Sequence, residues 1–143
     1  MTRYELRVAN ALIDTDILSE LLRGRNARVI ARAKEHVSQF GPFAVSVMEF
    51  AKGLEKVGRI NELDSLLLRL KPLQILGFTS GEARVAGIIY GALERTGAPI
   101  GRADPMIAAT ALSHDLTLVT GNVNHYERVR TLGHPLRIEN WRN

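Results

Sequence analysis

The chain predicts an α/β domain built on a mostly parallel sheet with helices on both faces. Three observations lead there. Strand-sized apolar runs alternate along the sequence with segments whose apolar residues recur at helical spacing. Three acidic residues, Asp14, Glu49 and Asp104, each stand beside apolar neighbours where a strand or loop should hand over to a helix. The 143 residues, 45% hydrophobic and 24% charged, can bury one sizeable core but would be tight for two, so residues 1–143 are read as a single domain.

Val8 to Ile13 reads as a short buried strand ending at Asp14. Ile17, Leu18, Leu21 and Leu22 then recur at helical spacing until Gly24. Val29, Ile30, Ala33 and Val37 predict a second helix closed by Gly41-Pro42, and Phe43 to Val47 predicts another strand with Glu49 directly after it. Phe50, Leu54 and Val57 continue a helical face to Gly58. Ile60 to Leu70 predicts an amphipathic helix carrying Leu63, Leu66, Leu67 and Leu70 on one side, with Pro72 as its stop.

Leu73 to Phe78 predicts a strand, after which Thr79 or Ser80 can cap a helix bearing Ala83, Ala86, Tyr90 and Leu93. Gly97 and Pro99 stop it. Asp104-Pro105 is a strong local helix start, with Asp as cap, Pro at the first helical position, and MIAATAL as a small-residue apolar helix. Leu116 to Thr120 predicts a strand broken by Gly121-Asn122, Asn124 to Arg130 one or two helical turns, and Leu136 to Ile138 an edge strand before Trp141. The chain shows no internal repeat, low-complexity stretch or linker.

Composition narrows the chemistry. With no Cys, disulfides, thiolate catalysis and cysteine zinc sites are excluded together, and a reducing cytosol suits the chain. Charges at Arg3, Glu5 and Arg7 argue against a signal peptide, and no apolar run approaches the roughly 18 residues of a membrane span, so the expected location is cytoplasmic. The formal charge of +4 is compatible with a polyanionic partner. Arginines cluster at Arg23, Arg25, Arg28 and Arg32 and again at Arg128, Arg130, Arg137 and Arg142, while Arg102 stands two residues before Asp104. Near a carboxylate site such residues can hold phosphates; otherwise they are solvated helix faces.

In open parallel sheets ligands bind beyond the carboxyl ends of the strands, where strand order reverses. Asp14, Glu49, Asp104 and the Thr120–Asn122 turn can all converge on that edge. A capping role explains Asp104 as well as a catalytic one does, and Asp16 can simply cap the helix at Ile17. Glu49 can be a first-turn acid favoured by the helix dipole. Asp14, against Leu12-Ile13, is harder to explain blandly, because converging buried carboxylates repel each other unless a cation neutralises them. That conjunction points to a hard divalent metal and to phosphate chemistry.

LIDTDILSELLRG, SVMEFAKGL, GRADPMIAATAL and LVTGNVNHYERV, in this order and followed by LRIENW, resemble the motif series of PIN-domain ribonucleases, specifically VapC-type toxins of bacterial and archaeal toxin–antitoxin pairs. The resemblance covers nearly all of the chain from Leu12 onward. It implies a compact three-layer α/β/α sandwich, with Asp14, Glu49 and Asp104 as acidic ligands of Mg²⁺ or Mn²⁺. Asn122 falls where the family often has Asp, with Thr120 as the accompanying hydroxyl, and Asp16 stands where it often has Asn. Arg102 is a further supporting residue. The implied activity is metal-dependent endoribonuclease cleavage of RNA, leaving a 5′-phosphate and a 3′-hydroxyl. The implied partners are RNA, a cognate VapB-type antitoxin and a second copy in a homodimer, assembled into a toxin–antitoxin hetero-oligomer. Phe50, Leu54, Leu63, Leu66, Leu67 and Leu70 are most simply core; at the family level they would line a groove for the antitoxin's helical tail.

His36, His114, His125 and His134 lack paired spacing and read as surface or packing residues, His125 being the exception because it follows Asn122 closely. Ser46 is a small residue beside Glu49 that could contact a ligand. Three rival readings compete, the third a metal-free binding module that keeps the fold without catalysis, against which Asp14, Glu49 and Asp104 argue. A haloacid-dehalogenase-like phosphatase would use Asp14 and Asp16 as nucleophile and acid, but it wants a later catalytic Lys and a Gly-Asp motif, where this chain has Gly121-Asn122. A non-enzymatic phospho-receiver domain would want a Lys after a late strand, where this chain has Thr120-Gly121-Asn122.

Overall fold

The computed structural model describes residues 10–35, 40–69 and 75–143. Four short parallel strands form its centre: β1 (Ala11–Ile13), β2 (Phe40–Pro42), β3 (Thr117–Val119) and β4 (Arg137–Glu139), in the order β2-β1-β3-β4. Between them run α1 (Thr15–Arg23), α2 (Ala27–Glu35), α3 (Ala44–Lys56), a 3₁₀ turn (Ile60–Glu62), α4 (Leu63–Leu68), α5 (Ser80–Arg95), α6 (Ala103–Ser113) and α7 (Val123–Thr131). Every connection between neighbouring parallel strands must cross over the sheet, which explains why helices cover both faces.

Side chains alternate along β1 and so divide the core in two. Leu12, with Leu118 of β3, packs with Ile89 and Leu93 of α5, Ile107 and Ala108 of α6, and Tyr126 and Val129 of α7. Ala11 and Ile13, with Val119, pack with Ile17, Leu18 and Leu22 of α1, Val29 of α2, Phe50 and Leu54 of α3, and Trp141. The result is a three-layer α/β/α sandwich, as the motif series implied. α6 is apolar almost all round and correspondingly buried, with Ile107, Ala108, Ala109 and Ala111 inaccessible to solvent.

Several predicted boundaries move. The strand over Phe43–Val47 is wrong: β2 ends at Pro42, and residues 44–47 already belong to α3. Phe43, Val45 and Val47 alternate as a strand would, but Ser46, Phe50 and Leu54 form the buried i, i+4, i+8 stripe that decides the outcome. Among the described residues of the predicted strand Leu73–Phe78 there is one bridge, Leu76 to Phe43, with Phe78 edge-on to Phe43 at 6.0 Å. The Ile60–Leu70 helix is divided into the 3₁₀ turn and α4. α1 starts at Thr15 with Asp14 as its N-cap, not at Ile17. Val8, Ala9, His36, Val37, Leu70, Leu73 and Gln74 lie outside the described residues.

Candidate active site

The chain lays β1 and β2 to one side and returns to place β3 and β4 on the other, so strand order reverses between β1 and β3. At that point the carboxyl ends of two adjacent strands diverge into different helices and leave a crevice. Asp14 follows β1 directly, its amide held by the Val119 carbonyl at 2.9 Å, and Thr120 follows β3. α6 precedes β3 and runs back across the sheet, which brings its first turn, with Asp104, to the same edge. α1, α6 and α7 all begin there, so three helix N-termini favour negative charge at the crevice.

Asp14 is the centre of the arrangement and is only 4% exposed. Its Oδ1 accepts the Thr15 amide at 2.7 Å, and its Oδ2 accepts the hydroxyls of Thr120 at 2.9 Å and Tyr126 at 3.2 Å. Burial, and then the neighbouring Asp16 charge, push its pKa up to about 6, with Asp104 adding to the rise and the Thr15 and Thr120 hydrogen bonds opposing it. Tyr126 is itself buried, and burial together with the charges of Asp14 and Asp104 raises its phenol well above the usual range, so it stays a donor.

Glu49 joins Asp14 through Thr15. Thr15 Oγ1 donates to Glu49 Oε1 at 2.8 Å and lies 3.0 Å from the buried Ser46 hydroxyl, so one residue touches both Asp14 and Glu49. Asp104 does not cap its helix. α6 begins one residue earlier, at Ala103, and Pro105 is its third residue; the Asp104 carboxylate instead meets His125 Nδ1 at 3.1 Å, and its charge helps to raise the Tyr126 phenol. Glu49 and Asp14 thus belong to one hydrogen-bonded chain, Glu49–Thr15–Asp14–Tyr126, and Asp104 stands near enough for its charge to raise both Asp14 and Tyr126. Among the described residues no three acidic or histidine side chains are gathered into a cage for a metal ion. The donor set still suits one: hard carboxylate oxygens, with an Asp14 whose ionised form is disfavoured by burial and like charge until a cation offsets both.

Asp16 faces a different partner set. Its Oδ1 accepts the Ile17 amide at 2.9 Å, its Oδ2 accepts the Gly121 amide at 3.0 Å, and Arg142 Nη2 lies 3.3 Å away. Asn122 donates its amide to Thr120 Oγ1 at 2.9 Å and is the N-cap residue of α7. Arg102 lies exposed at the start of α6 and lines the shallow groove between α5 and α6 with Tyr90 and Met106.

Some participants were visible in the sequence and others were not. His125 meets Asp104, and Ser46 contacts Thr15. Thr15 and Tyr126 were missed; the helical spacing Asn122, Tyr126 placed Tyr126 one turn from a named residue and could have found it. Of the C-terminal arginines, Arg130 pairs with Glu127, Arg137 with Asp115, and Arg128 donates to the Pro99 carbonyl, which leaves Arg142 as the one turned towards the site.

The PIN domain family model matches residues 11–131. The chain belongs to the PIN domain family. It is 30% identical to the tRNA(fMet)-specific endonuclease VapC of Shigella flexneri over 132 residues, covering 91% of this chain and 96% of that protein. It is 31% identical to Ribonuclease VapC2 of Haemophilus influenzae over 134 residues, with the same coverage of each chain, 91% and 96%. A DNA-bound VapBC complex from Salmonella typhimurium contains a chain that superposes with a TM-score of 0.80 at 27% identity, covering 93% of this PIN domain and 98% of its counterpart. Residues 11–131 run from the first residue of β1 to the last of α7, so the family match contains Asp14, Glu49, Asp104 and Asn122 together.

Proposed function

We propose that this PIN domain is a VapC-like endoribonuclease toxin that hydrolyses RNA phosphodiester bonds with Mg²⁺ or Mn²⁺ and is inhibited by a cognate VapB-type antitoxin in the cytoplasm. One observation carries the proposal: the hydrogen-bonded chain Glu49–Thr15–Asp14–Tyr126 at the strand-order reversal, where a buried acid is kept at a pKa of about 6 with Asp16 and Asp104 as charged neighbours. The names of its relatives, an endonuclease and a ribonuclease, agree with it.

In this assignment Asp14, Asp104 and Glu49 hold the divalent ion. The chemistry supplied by an ion there is charge neutralisation at a phosphodiester and a lower pKa for water. The chain's own residues do the rest. Thr15, Thr120 and Tyr126 orient the carboxylates, the N-termini of α1, α6 and α7 attract phosphate, and Asn122, neutral and able both to donate and to accept, hydrogen-bonds water or a phosphate oxygen. A phosphatase using Asp16 as its acid is disfavoured, because both Asp16 oxygens are engaged, by Ile17, Gly121 and Arg142.

The antitoxin is assigned to the groove between α1, α3 and α4. Leu22, Phe50, Leu54 and Leu66 line it, rimmed by Arg23, Arg25, Arg59 and Arg69, which suits an amphipathic helix. Homodimerisation is part of the same proposal. Sequencing RNA ends after brief expression, with Asp104→Asn as control, tests activity and identifies the substrate. Discrete new 5′-phosphate ends in the wild type alone support the proposal; equal Mg²⁺-dependent cleavage by a folded Asp104→Asn protein removes Asp104 from it.

A further inference from the structure

The last residues of the chain form a strap over the site. β4 pairs with β3, the Thr120 amide bonds the Glu139 carbonyl at 2.9 Å, and Trp141, 1% exposed, is anchored among Ile13, Ile17 and Leu18. This fixes where Arg142 begins. Its backbone amide is held by Asn140 Oδ1 at 3.0 Å, and its guanidinium reaches across the Thr120–Gly121–Asn122 turn to Glu20 Oε1 at 2.6 Å and Asp16 Oδ2 at 3.3 Å.

The same Asp16 oxygen accepts the Gly121 amide, so arginine, carboxylate and turn share one atom. The fit is close enough that a side chain at 121 would have to displace the clamp. A Cβ there would overlap the Arg142 guanidinium and come within 2.6 Å of Asp16 Oδ2. The turn held in this way presents Thr120, whose hydroxyl bonds both Asp14 and the Asn122 amide.

We propose that Arg142 is a positioning residue: by clamping Asp16 against the Gly121 amide, it holds the turn that keeps Thr120 on Asp14 and Asn122 at the mouth of the site. Arg142 acts through Asp16 and Gly121 and does not touch the reacting phosphate. Its role rests on the ribonuclease assignment only for the kinetic readout, because the clamp itself is visible at the Gly121 amide. Partners that orient site carboxylates typically change activity or metal affinity 10–100-fold when removed.

The test uses the full chain and the variants Arg142→Gln, Arg142→Lys, Asp16→Ala and the Asp16→Ala/Arg142→Gln double. Arg142→Gln is expected to lower kcat for RNA cleavage about tenfold with KM within about twofold, and Arg142→Lys to recover part of the loss. The Gly121 amide, followed by ¹⁵N-edited hydrogen exchange, should lose protection in Arg142→Gln as it does in Asp16→Ala. The double variant should be no worse than Asp16→Ala alone. A raised KM with unchanged kcat and a flatter salt dependence would make Arg142 an RNA contact and overturn the proposal. Unchanged Gly121 protection in Arg142→Gln would overturn it equally, as would a lower melting temperature with kcat per folded molecule intact. Wild-type protein that fails to cut RNA defeats the nuclease assignment, while the amide measurement still decides the clamp.

Discussion

Asp14 and Glu82 are almost equally shut away from solvent, at 4% and 5% exposed, yet their proton affinities move in opposite directions. Asp14 rises to about 6 and Glu82 falls to about 2. Donors lower both, but they dominate only at Glu82. Asp14 accepts the Thr15 amide and two hydroxyls; Glu82 accepts the Thr79 amide at 3.2 Å and the Thr79 hydroxyl, and meets His114 Nε2 at 2.6 Å. Both also stand at the start of a helix, where the dipole favours an anion. The difference is depth first and company second: burial is the largest cause of the Asp14 rise, while the Thr79 hydroxyl and His114 are the largest causes of the Glu82 fall. Glu82 closes a capping box and faces an imidazole, whereas Asp14 sits deeper, against the sheet, with Asp16 and Asp104 as charged neighbours. Glu82 is arranged as a stabilising residue, whereas Asp14 is the carboxylate that the proposed ion would neutralise.

The largest expected effect breaks that comparison at its functional end. Asp14→Asn and Asp104→Asn should each reduce RNA cleavage about a thousandfold, equivalent to about 4 kcal/mol of transition-state stabilisation. Glu82→Gln should cleave as the wild type does. A fluorogenic RNA assay at saturating Mg²⁺ distinguishes the two outcomes, and a comparable loss in Glu82→Gln would show that buried carboxylates matter here only through the fold.

The next effect is on stability against pH, and it should run in opposite senses at the two sites. Asp14 binds its proton more tightly in the folded chain, so its stabilisation is complete below about pH 4 and is lost as pH rises through about 6. A rise from 3.8 to about 6 corresponds to up to about 3 kcal/mol. Glu82 behaves in reverse: its contribution is complete above about pH 4.5 and fades as pH falls towards 2. Urea titrations between pH 4 and pH 7.5 should therefore show Asp14→Asn gaining on the wild type as pH rises. At pH 7, millimolar Mg²⁺ should raise the melting temperature of the wild type and leave that of Asp14→Asn unmoved, because binding to the folded state alone stabilises it. An equal rise in both proteins would place the ion elsewhere.

The contrast also explains what could be seen in the sequence. Asp14, Asp104 and the Thr120–Asn122 turn were legible because the strand-to-helix handovers that carry them are local patterns, and parallel topology sends all such handovers to one edge. Glu49 was found although its strand was misplaced, since Val45 and Val47 fit period 2 as well as the helix that contains them. Tyr126 and Thr15 were not found. Tyr126 looks like any aromatic on an apolar helix face, and only the folded chain shows that its hydroxyl ends 3.2 Å from Asp14. The tie between Glu82 and His114 was equally invisible, because the 32 residues separating them are brought together by the packing of α5 on α6, which no local spacing encodes.

The smallest effect sharpens the stabilising end of the comparison. Glu82→Ala removes the Thr79 capping box and the His114 contact together, which should cost about 1–2 kcal/mol and lower the melting temperature by about 3–6 °C, with cleavage per folded molecule unchanged. His114→Ala removes one partner and should cost less. The decisive feature is how the cost varies with acidity: as pH falls from about 4.5 towards 2 the wild-type carboxylate is neutralised, so the gap between wild type and Glu82→Ala should narrow. A gap that stayed constant to pH 2 would mean that Glu82 contributes through packing and not through charge, and its likeness to Asp14 as a second buried carboxylate would then be one of position alone.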